Sequence, residues 1–225
     1  ATQSSNHYMS LGEVEIYGSA VHASEDANGG ILGEELFLNG SFEAPALEEN
    51  TWSVFDEIPG WGLSSGPAIE VHHNVHGQAA NGAQYVELDS YAASGISQEI
   101  ATEPGQRYRI TFSYAARPGT NQDNNKMLVL WNGEELLFLE ADGSSLENTD
   151  WQSYTLEIVA TEGFSALEFV DAGTSNGYGS FLDNISIRPI FEMQESVPES
   201  GSYVVTNVAS ESCLWVYPQE GSDVP

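Results

Sequence analysis

The sequence predicts an all-β protein built as an antiparallel β-sandwich. Between Leu36 and Ile190 the chain breaks into nine short runs of alternating apolar and polar residues, the period of a half-buried strand. Clusters of Gly, Pro, Asn and Asp separate the runs, and no segment carries the 3.6-residue periodicity of a long amphipathic helix.

Taken in order, the runs are LFLNGSFE (36–43), AIEVHH (68–73), AQYVELDS (83–90), GISQEIA (95–101), RYRITFSYA (107–115), MLVLWNG (127–133), YTLEIVA (154–160), ALEFVDA (166–172) and FLDNISI (181–187). Alternation puts Tyr108, Ile110, Phe112 and Tyr114 on one face of the fifth run and Tyr154, Leu156 and Ile158 on one face of the seventh, which makes these the expected core faces. Thr102–Tyr108 contains Pro104 and Gly105, the pair that bends a chain into a following strand. Residues 19–35 mix small, acidic and glycine residues without periodicity and read as a linker, as does the polar segment 191–200 with Pro198. The sandwich is therefore expected at about 36–190, with further material at 1–18 and 201–225.

Candidate functional residues follow from the same parity. In FLDNISI, Asp183 shares a face with Phe181, Ile185 and Ile187, so its carboxylate is expected to be buried and to need either a cation or several hydrogen-bond donors. Glu70 and His72 alternate with Ile69 and Val71, and Tyr85, Glu87 and Asp89 alternate with Val86 and Leu88. These five are expected to face outward together. Carboxylates that satisfy hydroxyl pairs, beside an aromatic ring that covers a pyranose face, form a sugar-binding combination, and a solvated acidic face is the alternative. Arg117, Asn124 and Asn125 lie on the loop after RITFSYA, where Arg117 would either meet an anionic or polyhydroxylated ligand or tie the loop to a carboxylate. Trp52 and Trp131 are expected in the core, Trp61 is ambiguous after its Pro-Gly turn, and Tyr91 and Tyr178 sit in loops where an exposed ring is informative. His72 and His73 point to opposite strand faces, which argues against convergence of His72, His73 and His76 on one metal.

Charge narrows the functional classes. The chain carries 34 acidic against 5 basic residues, a formal charge of −29, which repels nucleic acid phosphates and anionic membranes. Neither nucleic-acid binding nor membrane insertion is expected. Carboxylate density suits calcium or a saline, extracellular setting, bacterial and marine or halophilic. A single cysteine, Cys213, has no partner within the chain. No nucleophile elbow, phosphate loop or zinc-protease motif is present, and with so many acidic residues a suitable carboxylate pair carries no specificity for glycoside hydrolysis.

The series NGSFE (39–43), IPGW (58–61), IEV (69–71), YVELDS (85–90), ISQEIATEPGQRYRITF (96–112), WNG (131–133) and FLDNISI (181–187) resembles galactose-binding-domain-like jelly rolls, which include carbohydrate-binding modules and ligand-binding modules of bacterial adhesins. The resemblance implies a structural Ca²⁺ held by Glu43 and Asp183, with Asn39 completing the shell, strand-capping hydrogen bonds being the alternative. SLGEVEIYG (10–18) resembles the last strand of a discoidin-type domain, and YVVTNVASESCLWVY (203–217) resembles the first strands of a ricin B-type β-trefoil, although Trp215 stands where sugar-binding repeats carry Asp. Lectin-like flanks of this kind imply a non-catalytic, calcium-stabilised carbohydrate-binding module, monomeric within a larger secreted glycoside hydrolase or polysaccharide lyase. The expected ligand residues are Glu70, His72, Tyr85, Glu87, Asp89, Arg117 and Asn125. The competing expectation is a peptide- or glycan-binding module of a surface adhesin.

Overall fold

The computed structural model describes residues 31–191, together with the backbone strands Tyr203–Asn207 and Leu214–Pro218. Thirteen strands make the first unit: β1 Ile31–Leu32, β2 Trp52–Phe55, β3 Glu57–Ile58, β4 Trp61–Ser65, β5 Ile69–His73, β6 Gln84–Glu87, β7 Gly95–Ala101, β8 Arg107–Ala115, β9 Lys126–Trp131, β10 Glu134–Glu140, β11 Gln152–Val159, β12 Phe164–Asp171 and β13 Phe181–Phe191. They form two antiparallel sheets, one ordered β11-β8-β13-β6-β5-β2 with β1 added to β13, the other ordered β10-β9-β12-β7-β4-β3. Successive strands from β6 to β13 pass repeatedly between the sheets, so the fold is a jelly-roll β-sandwich, as its alternating runs predict.

The core lies where the two inner faces meet, and the expected set Tyr108, Ile110, Phe112 and Tyr114 is buried there against Val129, Leu167 and Phe169. Tyr154, Leu156 and Ile158 pack on the same core from edge strand β11. Trp61 and Trp131 are buried, whereas Trp52 is 52% exposed because β2 is an edge strand. The Pro104–Gly105 bend forms as expected, with Gly105 in the left-handed region at φ +88° and its N–H donating to Ala160.

Three local expectations need correction. Residues 31–35, the end of the segment expected as a linker, join the sandwich: Ile31 and Leu32 pair with Phe191 and Ile190, and the Glu35 carboxylate accepts the Ile187 N–H at 2.9 Å. Residues 36–43 are not a strand. Asn39 and Phe42 take φ of 52° and 56°, and Leu38 meets the Gln98 side chain instead of a neighbouring strand, its N–H donating to Oε1 at 2.8 Å while its carbonyl accepts Nε2 at 3.0 Å. In β13 a one-residue bulge lies between Asp183, opposite Ser113, and Ser186, opposite Thr111, with Asn184 at φ 53°. A single extra residue reverses facing, so Ile185 and Ile187 enter the central core while Phe181 and Asp183 stand on the opposite side of the sheet.

The chain divides into two units after Phe191. In the second, β14 (Tyr203–Asn207) and β15 (Leu214–Pro218) form an antiparallel hairpin with Tyr203 opposite Pro218 and Asn207 opposite Leu214. A lone hairpin is shared by many folds and identifies none. The strand expected within 1–18, the linker residues 19–30 and 192–200, and Cys213 lie outside the described residues. Among the described residues no helix is long and apolar enough to cross a membrane.

Gly40 lies under the β13 bulge, where its carbonyl accepts the Ile185 N–H at 2.8 Å and an added Cβ would strike the Ile185 carbonyl oxygen. Gly40→Ala is predicted to cost about 1–3 kcal/mol, the range for overpacking against an unyielding neighbour. A shift of the urea midpoint at unchanged slope checks it.

Candidate functional site

Parity correctly places Glu70, His72, Tyr85 and Glu87 on one face of β5 and β6, with Glu70 opposite Glu87 and His72 opposite Tyr85. The expectation that this face meets solvent is overturned, because all four are buried, as is Asp89. The segment joining β5 to β6 folds back as a roof: the His76 N–H donates to the Tyr85 hydroxyl at 2.9 Å, and the Trp151 indole and Thr149 hydroxyl both donate to the Gln78 carbonyl, at 2.7 and 2.8 Å. Beneath it runs an aromatic ladder, with ring centroids 6.4 Å apart for Trp52–His72, 5.5 Å for His72–Tyr85 and 4.8 Å for Tyr85–Phe181. The sheet face expected to hold a ligand is a second core.

Its polar members form one connected cluster. His72 Nε2 lies 2.8 Å from Glu70 Oε1 and 3.1 Å from Glu87 Oε2. Glu87 also pairs with the Arg117 guanidinium and accepts the Gly179 N–H at 2.8 Å. Burial alone would lower the His72 pKa, but the hydrogen bonds to Glu70 and Glu87 outweigh it and raise the pKa above the usual histidine value. Two carboxylates thus face the Arg117 guanidinium and, when it is protonated, the His72 ring, and the Glu70, His72 and Glu87 donor atoms are close enough to share an ion. His76 is pushed down to about 4, first by burial and then by the Arg117 charge, which leaves its ring neutral at pH 7.

The cluster surfaces at Arg117. The guanidinium carbon stands 4.9 Å from the centre of the Tyr178 ring, and that ring is 50% exposed. Around them His76, Pro118, Gly119, Thr120, Asn121 and Asn124 line a cleft of about 420 Å³. Asn125 lies beneath the cleft and anchors it: its side chain accepts the Arg117 N–H at 2.8 Å and donates to the Asn121 carbonyl at 2.8 Å. Asn124 donates to Asn176 Oδ1 at 3.0 Å and so joins this loop to the one carrying Tyr178. Of the two roles weighed for Arg117, the tie of its loop to a carboxylate is present, and the same side chain lines the opening. Asp89 serves the loop from below, accepting the Asn176 N–H at 2.9 Å.

The three residues nominated for calcium each hold backbone partners. Glu43 Oε1 accepts the N–H groups of Ala83 and Gln84 at 2.7 and 2.8 Å, Asp183 accepts those of Asn81 and Asn184 at 2.9 and 2.6 Å, and the Asn39 amide bridges Ala44 and Pro59. Burial lifts Asp183 to about 7, against the lowering effect of its N–H donors. These contacts are of the strand- and loop-capping kind weighed as the alternative to a metal. The residues that parity could not reveal are His76 and Asn176, whose sequence signal is no more than a polar residue in a loop, and Asp171, a carboxylate near the end of an alternating run that also carries Glu168.

The class this architecture defines is a jelly-roll sandwich with a loop-borne polar and aromatic cleft. Residues 35–188 match the family described as protein of unknown function (DUF642), and the chain belongs to that family. It is 30% identical over 159 residues to the multifunctional-autoprocessing repeats-in-toxin of Vibrio vulnificus, covering 69% of this chain and 3% of that one, and 30% identical over 165 residues to the Vibrio cholerae counterpart, covering 73% and 3%. The chain thus spans about 3% of the length of these curated relatives. Among solved structures, an arabinose-bound α-L-arabinofuranosidase aligns at 16% identity and TM-score 0.49 over 73% of this chain and 27% of that one. A family 16 carbohydrate-binding module aligns at 18% and 0.44 over 68% and 98%. At such scores the likeness says nothing about ligand.

Two measurements follow. Tyr85→Ala, at a residue with no exposed surface, is predicted to cost about 3–5 kcal/mol in chemical denaturation, the range for emptying an aromatic core site. Because the folded-state pKa of His72 is raised, its contribution is complete below about pH 6.5 and is lost as pH rises through the folded value. The stability difference between wild type and His72→Gln is therefore predicted to shrink from pH 6 to pH 9, as read from melting curves.

Proposed function

We propose that residues 31–191 form a non-catalytic glycan-binding module whose ligand enters the cleft between the Arg117–Asn124 loop and Tyr178. The observation that carries this reading is a half-exposed tyrosine ring braced by a guanidinium that is itself fixed by a buried carboxylate. A ring held in this way covers the apolar face of a sugar at low entropic cost. Asn121, Asn124 and Thr120 supply the short-range donors and acceptors that fix hydroxyl orientation. Arg117 adds a preference for a ligand bearing a carboxylate or sulfate, since it is one of five basic residues in a chain of 34 acidic ones.

In a longer secreted polysaccharide-active protein, such a module would keep a catalytic domain near its substrate and raise effective concentration. The match to toxin chains many times longer than this one favours a second reading, a recognition module in a very large extracellular or surface protein. The cleft chemistry is the same in both.

Tyr178→Ala is predicted to weaken glycan binding by about 1–2 kcal/mol, roughly five- to thirty-fold, while leaving the melting temperature within a degree or two of wild type. A glycan array carrying neutral, uronate and sulfated oligosaccharides, followed by calorimetric titration of the retained sugar, checks it. Retained sugar at full affinity in Tyr178→Ala moves the ligand elsewhere, and an array with no retained sugar overturns the glycan reading.

A further inference from the structure

Buried side-chain oxygens almost always find a partner, so those without one mark a missing group. Among the described residues the buried side-chain oxygens lacking a hydrogen-bond partner are Asp89 Oδ1, Ser90 Oγ, Asp171 Oδ1 and Ser180 Oγ. All four belong to one junction. Leu88 donates to the Ser180 carbonyl at 3.2 Å, Asp171 donates to the Ser94 carbonyl at 2.9 Å, Ser94 donates back to Leu88 at 2.8 Å, and Asp89 bridges Ala93. The two carboxylates are 0% and 7% exposed, and each has its other oxygen occupied by one backbone N–H, from Asn176 at 2.9 Å and from Gly173 at 3.2 Å. The charges that act on Asp171 are those of Asp89 and, more weakly, Glu87, both of its own sign.

We propose that Asp89 and Asp171 hold a calcium ion, with the hydroxyls of Ser90 and Ser180 facing the same space. Two buried carboxylates whose charges act on one another need a proton or a cation. Oxygen ligands drawn from carboxylates and hydroxyls suit a hard ion, and a site made of protein oxygens favours Ca²⁺ over Mg²⁺, which keeps its waters. The ion would sit at the base of residues 172–180, the segment carrying Asn176 and Tyr178, and would hold that segment to the end of β6. This site is separate from Asn39, Glu43 and Asp183: Glu43 and Asp183 accept backbone N–H groups, and Asn39 Nδ2 donates to the Ala44 carbonyl. It does not depend on any glycan being bound.

The test is calcium titration of the full 225-residue chain, stripped with chelator, by calorimetry in 150 mM salt, with melting curves and amide hydrogen exchange alongside. Wild type is expected to bind one Ca²⁺, to melt higher with the ion, and to gain exchange protection concentrated in 88–94 and 171–180. Asp171→Asn is expected to lower calcium affinity at least tenfold while melting no lower than the chelated wild type, because the amide removes one buried charge. Glu43→Gln is expected to leave calcium affinity unchanged. A wild type without a calcium isotherm, full affinity in Asp171→Asn, or loss of affinity in Glu43→Gln would overturn the assignment. Should Asp171→Asn fail to fold, the location of exchange protection in wild type decides: protection spread elsewhere would equally overturn it. None of these readouts involves sugar, so they stand apart from failure of the glycan reading.

Discussion

The buried carboxylate of Glu87 is the constraint on which the rest of this face depends. One side chain accepts from His72 on β5, pairs with Arg117 on the loop after β8, and takes the Gly179 N–H from the segment before β13. Three pieces of chain distant in sequence are thereby referred to one point. A carboxylate with no exposed side-chain surface is costly unless paired on every side, so the three partners are obligatory rather than decorative. The position of Arg117, and with it the brace behind Tyr178, follows from that requirement.

The fold was largely legible because alternation is a local property. Eight of the nine runs became strands, and the core faces of β8 and β11 were read correctly from parity. Failures came where one residue, or one side chain, replaced a regular interaction. The Gln98 amide stands in for a strand beside Leu38, which turns an apparent first strand into an irregular arm. The bulge after Asp183 reverses facing, so the buried position of that carboxylate was read correctly and its companions were not.

The site was less legible, for a different physical reason. Parity states which side of a sheet a residue occupies and nothing about what covers that side. Glu70, His72, Tyr85 and Glu87 share a face as expected, yet the 74–83 segment closes over it through the His76–Tyr85 hydrogen bond and through Trp151, 73 residues from its partner Gln78. Recognition chemistry is thereby displaced from the sheet to the loops at its margin. Of the nominated ligand residues, Arg117 and Asn125 lie on the loop after β8, and of these two Arg117 lines the opening while Asn125 is buried beneath it. Tyr178, noted with Tyr91 as a loop ring whose exposure would be informative, is half-exposed beside this cleft, and its neighbours Gly177 and Gly179 let the chain pass close to Ser90 and Asp89, where a Cβ would be crowded. A surplus of acid over base also acquires a local meaning, since the few cations are spent on particular carboxylates: Arg107 and Arg109 on Glu157, Arg117 on Glu87.

The central claim is that Glu87 and Arg117 act as a coupled pair rather than as two independent contributors. A double-mutant cycle of Glu87→Gln and Arg117→Met, read from denaturant unfolding, measures that coupling directly. The account predicts that each single change is strongly destabilising, because it strands a buried charge, and that the double variant recovers at least about 1 kcal/mol relative to the sum. Additivity within about 0.3–0.5 kcal/mol would contradict it.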